Sequence, residues 1–234
     1  MQNRHSQHIS REFNDELETI RSQVLRMGGL LETQLDKAIR AMLDNDQALA
    51  AEVKRGDAGI NRMEMEIDAA CIDVVARRQP AASDLRFIIG VFKTIADLER
   101  MGDESKRVAK MSAAERASVL PVEINAELRH MGELVQGMLH DVLDAFARLD
   151  DQAALAVARQ DERVDAKYKL ITTEAMRFMA EDPASVQAAM SLMWAARALE
   201  RIGDRSQNIA EHVIYLVHGR DVRHLPLDDL FNPQ

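Results

Sequence analysis

The sequence is poor in aromatic residues, glycine and proline. Aromatic residues make up 4% of the 234 residues, and there are only 10 Gly and 5 Pro. Sheets favour aromatic and β-branched residues and need turn residues between short strands, so this composition argues against an all-β protein. Hydrophobic residues nevertheless reach 47%, supplied mainly by Ala, Leu, Ile, Val and 13 Met. Long helices are therefore the expected secondary structure.

Cysteine is almost absent, and positive charge is outnumbered by negative charge. Cys71 is the single cysteine, which excludes an internal disulfide and a zinc site built from cysteines. With 30 basic and 39 acidic residues the net charge is −9, which disfavours broad nucleic-acid binding. The N-terminus has no signal-peptide pattern, and no run of about 18 apolar residues exists. The expected location is the cytoplasm, with membrane contact only through partner proteins.

Apolar residues recur at spacings of three and four along most of the chain, which is the pattern of amphipathic helices. Prolines and short runs of Asp and Asn mark the breaks, because proline starts helices well and Asp caps them. The sequence predicts an all-α fold of six long antiparallel helices, at residues 9–44, 47–78, 82–113, 122–149, 152–180 and 184–218, followed by a tail.

The predicted helices form two copies of three. The segment ADLERMGDESKRVAK at 96–110 aligns with RALERIGDRSQNIAE at 197–211. A shorter match upstream pairs residues 57–61 with residues 161–165. Internal duplication of this kind predicts two tandem three-helix bundles. The expected repeats are residues 1–116 and residues 117–234, the second including the tail.

Each copy carries two carboxylates one helical turn apart, in the pattern Leu-Glu-Arg, an apolar residue, then Gly-Asp. Glu200 and Asp204 project away from the apolar stripe of their helix, so this pair is expected to face outward from the core. A like-charged pair at this spacing costs roughly a few tenths of a kcal/mol, and a bound cation would remove the repulsion. The candidate metal ligands are Glu99, Asp103, Asp57 and Asn61 in the first copy and Glu200, Asp204, Asp161 and Asp165 in the second.

A solvated acidic helix face is the alternative interpretation of these carboxylates. Gly102 and Gly203 bear on the choice, since each lies inside a helix at a cost of about 1 kcal/mol relative to Ala. A repeated glycine indicates either the close approach of another group or close helix packing. The seven His lack the spacing of a two-histidine helical site and are expected at the surface. Arginines near the motif either pair with carboxylates or meet phosphate: Arg77, Arg78, Arg86, Arg197, Arg201 and Arg205.

The motifs LERMGDESKRVAK and LERIGDRSQNIAEHVIYLVHGR, together with QPAASDLR before the third helix, resemble the PhoU family over nearly the whole chain. The resemblance implies two three-helix bundles. It also implies multinuclear clusters of iron or zinc on the paired carboxylate motifs. Mg and Mn are further options, because they too bind carboxylate oxygens. Asn61 stands where a carboxylate is usual, so a weaker or differently occupied first cluster is implied.

The resemblance also implies a function and partners. The expected role is negative regulation of the phosphate-starvation response by a protein that is not an enzyme. It would act as an adaptor between the ATPase subunit of the phosphate-importing ABC transporter and the cytoplasmic domain of a sensor histidine kinase. The protein is expected in the cytoplasm or at the inner face of the membrane, as a homodimer. The alternatives from another class are a metal-dependent hydrolase of phosphorylated substrates and a metal-binding scaffold.

Overall fold

The computed structural model describes residues 2–112 and 122–222, with side chains from residue 12 onward. These ranges contain no strand, and the all-α prediction is confirmed. The helices are α1 (Gln2–Asp44), α2 (Gln47–Arg78), α3 (Ala82–Lys110), α4 (Val122–Arg148), α5 (Asp151–Ala158), α6 (Asp161–Glu181) and α7 (Val186–His218), with a short 3₁₀ turn at Pro183–Ser185.

The predicted fifth helix is the main difference from expectation, because the structure divides it into α5 and α6. The backbone N–H of Gln160 donates to the carbonyl of Val157 at 2.9 Å, and that of Arg163 donates to the carbonyl of Gln160 at 3.0 Å. Bonds that span three residues tighten the helix and interrupt the regular four-residue ladder. The break places Asp161 at the first position of α6.

Two aspartate caps occupy matching places in the two copies. Asp46 accepts a hydrogen bond from the backbone N–H of Leu49 at 2.9 Å and begins α2. Asp150 accepts from the N–H of Ala153 at 2.9 Å and begins α5. Each carboxylate satisfies a backbone donor that a helix terminus leaves unpaired. The first turns of α2 and α5 are therefore equivalent positions in the duplication.

The helices form two halves around one continuous apolar core. We call α1–α3 the first half and α4–α7 the second half. Helices within each half pack against one another, and the halves meet where α3 packs on α7 and α1 packs on α4. The predicted stripe of α1 is buried, with Val24, Met27 and Leu31 all at 0% exposure. The predicted repeat boundary at 116/117 and most of the tail lie outside the described residues.

Charged side chains cross the contact between α3 and α7. Asp97 Oδ1 accepts from Arg205 at 3.0 Å, and its Oδ2 lies 3.1 Å from His212 Nε2. Glu104 accepts from Arg201 at 3.1 Å. His212 is only 6% exposed, so the expectation that histidines lie at the surface is wrong for this one. These pairs neutralise charges that the interface removes from water.

No helix in the described ranges has a stretch long and apolar enough to cross a membrane.

Candidate metal centre

Three aspartates of the second half converge between α6 and α7. Asp161 and Asp165 lie one turn apart on α6, and Asp204 lies on α7. One carboxylate oxygen from each lies within 4.8 Å of the others. Within the described part of the chain, this is the single group of three His, Cys, Asp or Glu with such spacing. We call these three residues and Glu200 the second-half cluster.

Gly203 makes room for this convergence. A Cβ atom at Gly203 would lie 3.2 Å from Asp161 Oδ1 and 3.2 Å from Val164 Cγ1 on the neighbouring helix. In the first half, a Cβ atom at Gly102 would lie 3.3 Å from Asp57 Oδ1. The mid-helix glycine of the motif thus admits both a carboxylate and the close packing of the adjacent helix. Both explanations that the sequence left open apply here.

Burial and mutual repulsion raise the pKa values of three carboxyl groups in the second-half cluster, those of Asp161, Asp204 and Glu200. Burial first, and then the charges of Asp204 and Asp165, raise the pKa of Asp161 to about 7. The pKa values of Asp204 and Glu200 are raised as well, again mainly by burial. Asp161 Oδ1 and Glu200 Oε2 are buried and have no hydrogen-bond partner among the described residues. Desolvated carboxylate oxygens without donors are the environment that a hard or borderline cation would stabilise.

Glu200 corrects one expectation about the motif. The side chain was expected to face outward, but Glu200 is only 7% exposed. Its Oε1 accepts a hydrogen bond from Arg197, while no group in the described ranges donates to Oε2. The carboxylate projects away from the stripe of its own helix, yet neighbouring groups cover it. Glu200 therefore lies within the packed helices rather than on an open face.

The first half places an ammonium group where the second half gathers carboxylates. Lys106 Nζ lies 2.6 Å from Asp57 Oδ2 and 2.6 Å from Asp103 Oδ1. Asp57 is 4% exposed, and its other oxygen accepts from Gln34 Nε2 at 3.3 Å. The lysine therefore bridges the two aspartates that the sequence predicts as metal ligands. The aligned residue in the second half is Gln207, which carries no charge.

The remaining predicted ligands of the first half lie close to this lysine bridge. Burial and the charge of Asp103 raise the pKa of Glu99, and nearby Glu64 adds to the effect. Asn61 Oδ1 is buried and accepts no hydrogen bond from the part of the chain that the structure describes. Sequence reasoning missed Lys106 and Gln34 as parts of this site. Lys106 could have been found from the alignment of the two copies, where it stands opposite Gln207. Gln34 could not, because it lies on α1, far from the duplicated motif in the sequence.

The arginines of α7 pair with carboxylates. Arg197 binds Glu200 within α7, whereas Arg201 and Arg205 bind Glu104 and Asp97 across the interface between the halves. The sequence left open whether these arginines pair with carboxylates or meet phosphate, and in the structure all three pair with carboxylates.

Comparison with known proteins gives consistent matches over most of the chain. The family model of the PhoU domain matches residues 24–112 and 128–213. The phosphate-specific transport system accessory protein PhoU homolog of Pseudomonas aeruginosa is 49% identical, covering 94% of this chain and 91% of its own. The phosphate-specific transport system accessory protein PhoU of Escherichia coli is 45% identical, covering 96% and 93%.

Two solved structures share the fold. The crystal structure of PhoU from Pseudomonas aeruginosa matches with a TM-score of 0.85 and 48% identity, covering 89% of this chain and 100% of that one. The crystal structure of the phosphate transport system regulatory protein PhoU from Streptococcus pneumoniae matches with a TM-score of 0.84 and 31% identity, covering 90% and 99%.

Proposed function

The chain belongs to the PhoU family, and we propose that it is an accessory protein of phosphate transport that represses the phosphate-starvation response. The observation that carries this proposal is similarity along almost the whole of both chains to proteins named as accessory to the phosphate-specific transport system. The name of the Streptococcus pneumoniae relative calls it a regulatory protein of the phosphate transport system, and this supports a regulatory role in the proposal. The terms accessory protein and regulatory protein both suit the cytoplasmic, non-enzymatic protein that we propose.

An adaptor between transporter and kinase is the mechanism that we propose. Helix α1 has 43 residues and spans about 65 Å at about 1.5 Å per residue, so the protein is long enough to offer separate docking surfaces. One surface would bind the ATPase subunit of the phosphate importer, and another would bind the cytoplasmic domain of the sensor histidine kinase. Trp194 on α7 is 54% exposed and suits such an interface, since aromatic residues are enriched in protein contacts.

The second-half cluster is the metal site that we propose. Asp161, Asp165, Asp204 and Glu200 would hold iron or zinc, with Mg or Mn as alternatives, because carboxylate oxygens suit these ions. A bound cation supplies positive charge to groups that otherwise repel one another. The described packing of α6 on α7 would then be stabilised through both helices at once. This role for the metal is structural or regulatory and needs no catalytic step.

The test of the regulatory proposal is alkaline phosphatase activity in phosphate-rich medium, in a bacterium that lacks its own family member. We expect this chain to restore repression, and we expect Asp165→Asn to weaken it if the metal site contributes. Glu133→Gln is the matched control, since Glu133 is an exposed carboxylate on α4, outside the second-half cluster. A stably expressed, helical chain that leaves phosphatase activity high in its source organism as well would overturn the proposal.

A metal-dependent hydrolase is the second candidate function. The second-half cluster brings together several carboxylate oxygens, and a metal ion held by such oxygens could activate water for hydrolysis. The hydrolase hypothesis predicts metal-dependent phosphate release from phosphorylated substrates, and loss of that release in Asp161→Asn. Release no faster than in protein-free controls, across a substrate panel with zinc, iron, Mg and Mn, would remove this candidate and leave the adaptor role intact.

A further inference from the structure

A basic cavity lies in the first half, between the N-terminal turns of α2 and the C-terminal turns of α3. Its volume is about 570 Å³. Four cationic side chains and the carboxylate of Asp103 line it, on a chain whose net charge is −9. The cationic residues are Lys54, Lys106, Arg107 and Lys110.

Two of these cations have no ion-pair partner in the described part of the chain. Lys106 is held by Asp57 and Asp103, and Arg107 donates to Glu104 at 2.6 Å. Lys54 and Lys110 are exposed and form no ion pair within the described ranges. Each ammonium group has three donors, so the cavity presents unused donors together with unbalanced charge. A multiply charged anion would accept hydrogen bonds from these donors and neutralise the positive charge.

The duplication provides an internal comparison for this cavity. The second half begins its equivalent helix with a matching aspartate cap, although that helix ends at Ala158, where α2 continues. None of the four cations is present there. The residues aligned with Lys54, Lys106, Arg107 and Lys110 are Ala158, Gln207, Asn208 and Glu211. The equivalent α5 therefore packs on α7 without any of these cations.

Favourable interactions with a helix dipole explain the positions of only some of the four cations. Arg107 and Lys110 lie in the last turn of α3, where cations interact favourably with the helix dipole. Lys54 lies near the N-terminal end of α2, where the dipole offers no such stabilisation. Lys54 nevertheless lines the same cavity as Lys110. Cations from two helices thus converge on one space.

We propose that this cavity binds a small molecule carrying several phosphate charges. Lysines are common phosphate ligands, and the arginine guanidinium can bind two phosphate oxygens at once. The cavity volume lies within the usual range of small-molecule sites, about 300–1,000 Å³, and exceeds the needs of one inorganic phosphate. Ala50 and Ala51 provide an apolar wall for a non-phosphate portion of the ligand. The proposal does not depend on the adaptor role.

The test is isothermal titration calorimetry on the full chain at constant ionic strength, with EDTA present so that metal at the second-half cluster does not contribute. The probes are inorganic phosphate, tripolyphosphate, adenosine triphosphate and citrate. The variant is Lys54→Gln combined with Lys110→Gln. Its matched control is Arg129→Gln combined with Lys169→Gln, which removes the same charge from exposed sites on the second half.

We expect tripolyphosphate or adenosine triphosphate to bind more tightly than inorganic phosphate. The cavity variant should weaken that binding by at least about tenfold, since two charge-assisted contacts are lost. The control should stay within about twofold. The proposal is overturned if neither oligophosphate probe binds, if both double variants lose affinity equally, or if citrate binds as tightly as tripolyphosphate. Failure of repression in cells would leave these binding results unaffected.

Discussion

The substitution Gln207→Lys tests the central difference between the two halves. Gln207 holds the position that Lys106 holds in the first half, and Lys106 bridges Asp57 and Asp103 at 2.6 Å from each. A lysine at 207 should bridge Asp161 and Asp204 in the same way. We therefore expect the variant to be more stable than the wild type without metal, and to bind metal poorly.

The magnitude follows from the first half. Hydrogen bonds to charged groups contribute about 1.5–3 kcal/mol each when well shielded from water. The Lys106 side chain is 31% exposed and that of Asp103 is 45% exposed, so solvent screening reduces the effect. A gain of about 1–2 kcal/mol in the free energy of unfolding is expected in EDTA. Because the ammonium group competes for the ligand oxygens, zinc affinity should fall by about a hundredfold or more.

Urea denaturation in EDTA measures the first quantity, and competition with a chromogenic zinc chelator measures the second. Gln187→Lys is the control, since it adds the same charge at an exposed position of the same helix. It should leave both quantities nearly unchanged. A Gln207→Lys variant that binds zinc as tightly as the wild type would refute the inferred equivalence of the two sites.

Three further predictions concern stability. Because burial raises the pKa of Asp161 from 3.8 to about 7, the folded state holds a proton that the unfolded state releases, so metal-free stability should fall between about pH 4 and pH 7. Partial exposure limits the loss to about 1–2 kcal/mol, and urea curves without such a fall would contradict it. Asp97→Ala leaves the partly buried Arg205 without this partner and should cost about 3 kcal/mol in the free energy of unfolding. Asp73→Ala breaks an exposed ion pair and should change stability little, so equal losses in the two variants would refute this. A Cβ atom at Gly59 would meet no described atom within 4 Å, so Gly59→Ala should raise the melting temperature, corresponding to about 0.5–1 kcal/mol; a lower melting temperature would contradict the open space.

The sequence determined the helical class, most helix limits and the turns in which the two capping aspartates lie. Helix α2 runs from Gln47 to Arg78, as the sequence predicts. These features depend on residues near one another in the chain, namely the apolar period, proline and capping side chains. The duplicated glycine-aspartate motif is visible for the same reason. It identifies Asp204 as a candidate ligand, and the shorter upstream match adds Asp161.

Only the tertiary structure decided the environment of those carboxylates. Helical spacing shows which side of its own helix Glu200 occupies, but burial depends on the neighbouring helices that cover that side. The bridge from Lys106 to Asp57 joins residues on different helices, and the pairing of Asp97 with Arg205 joins different halves. The electrostatic interaction of a charged group is strongest with groups a few ångströms away. For these residues the nearest partners are far apart in the sequence and are brought together only by the tertiary fold.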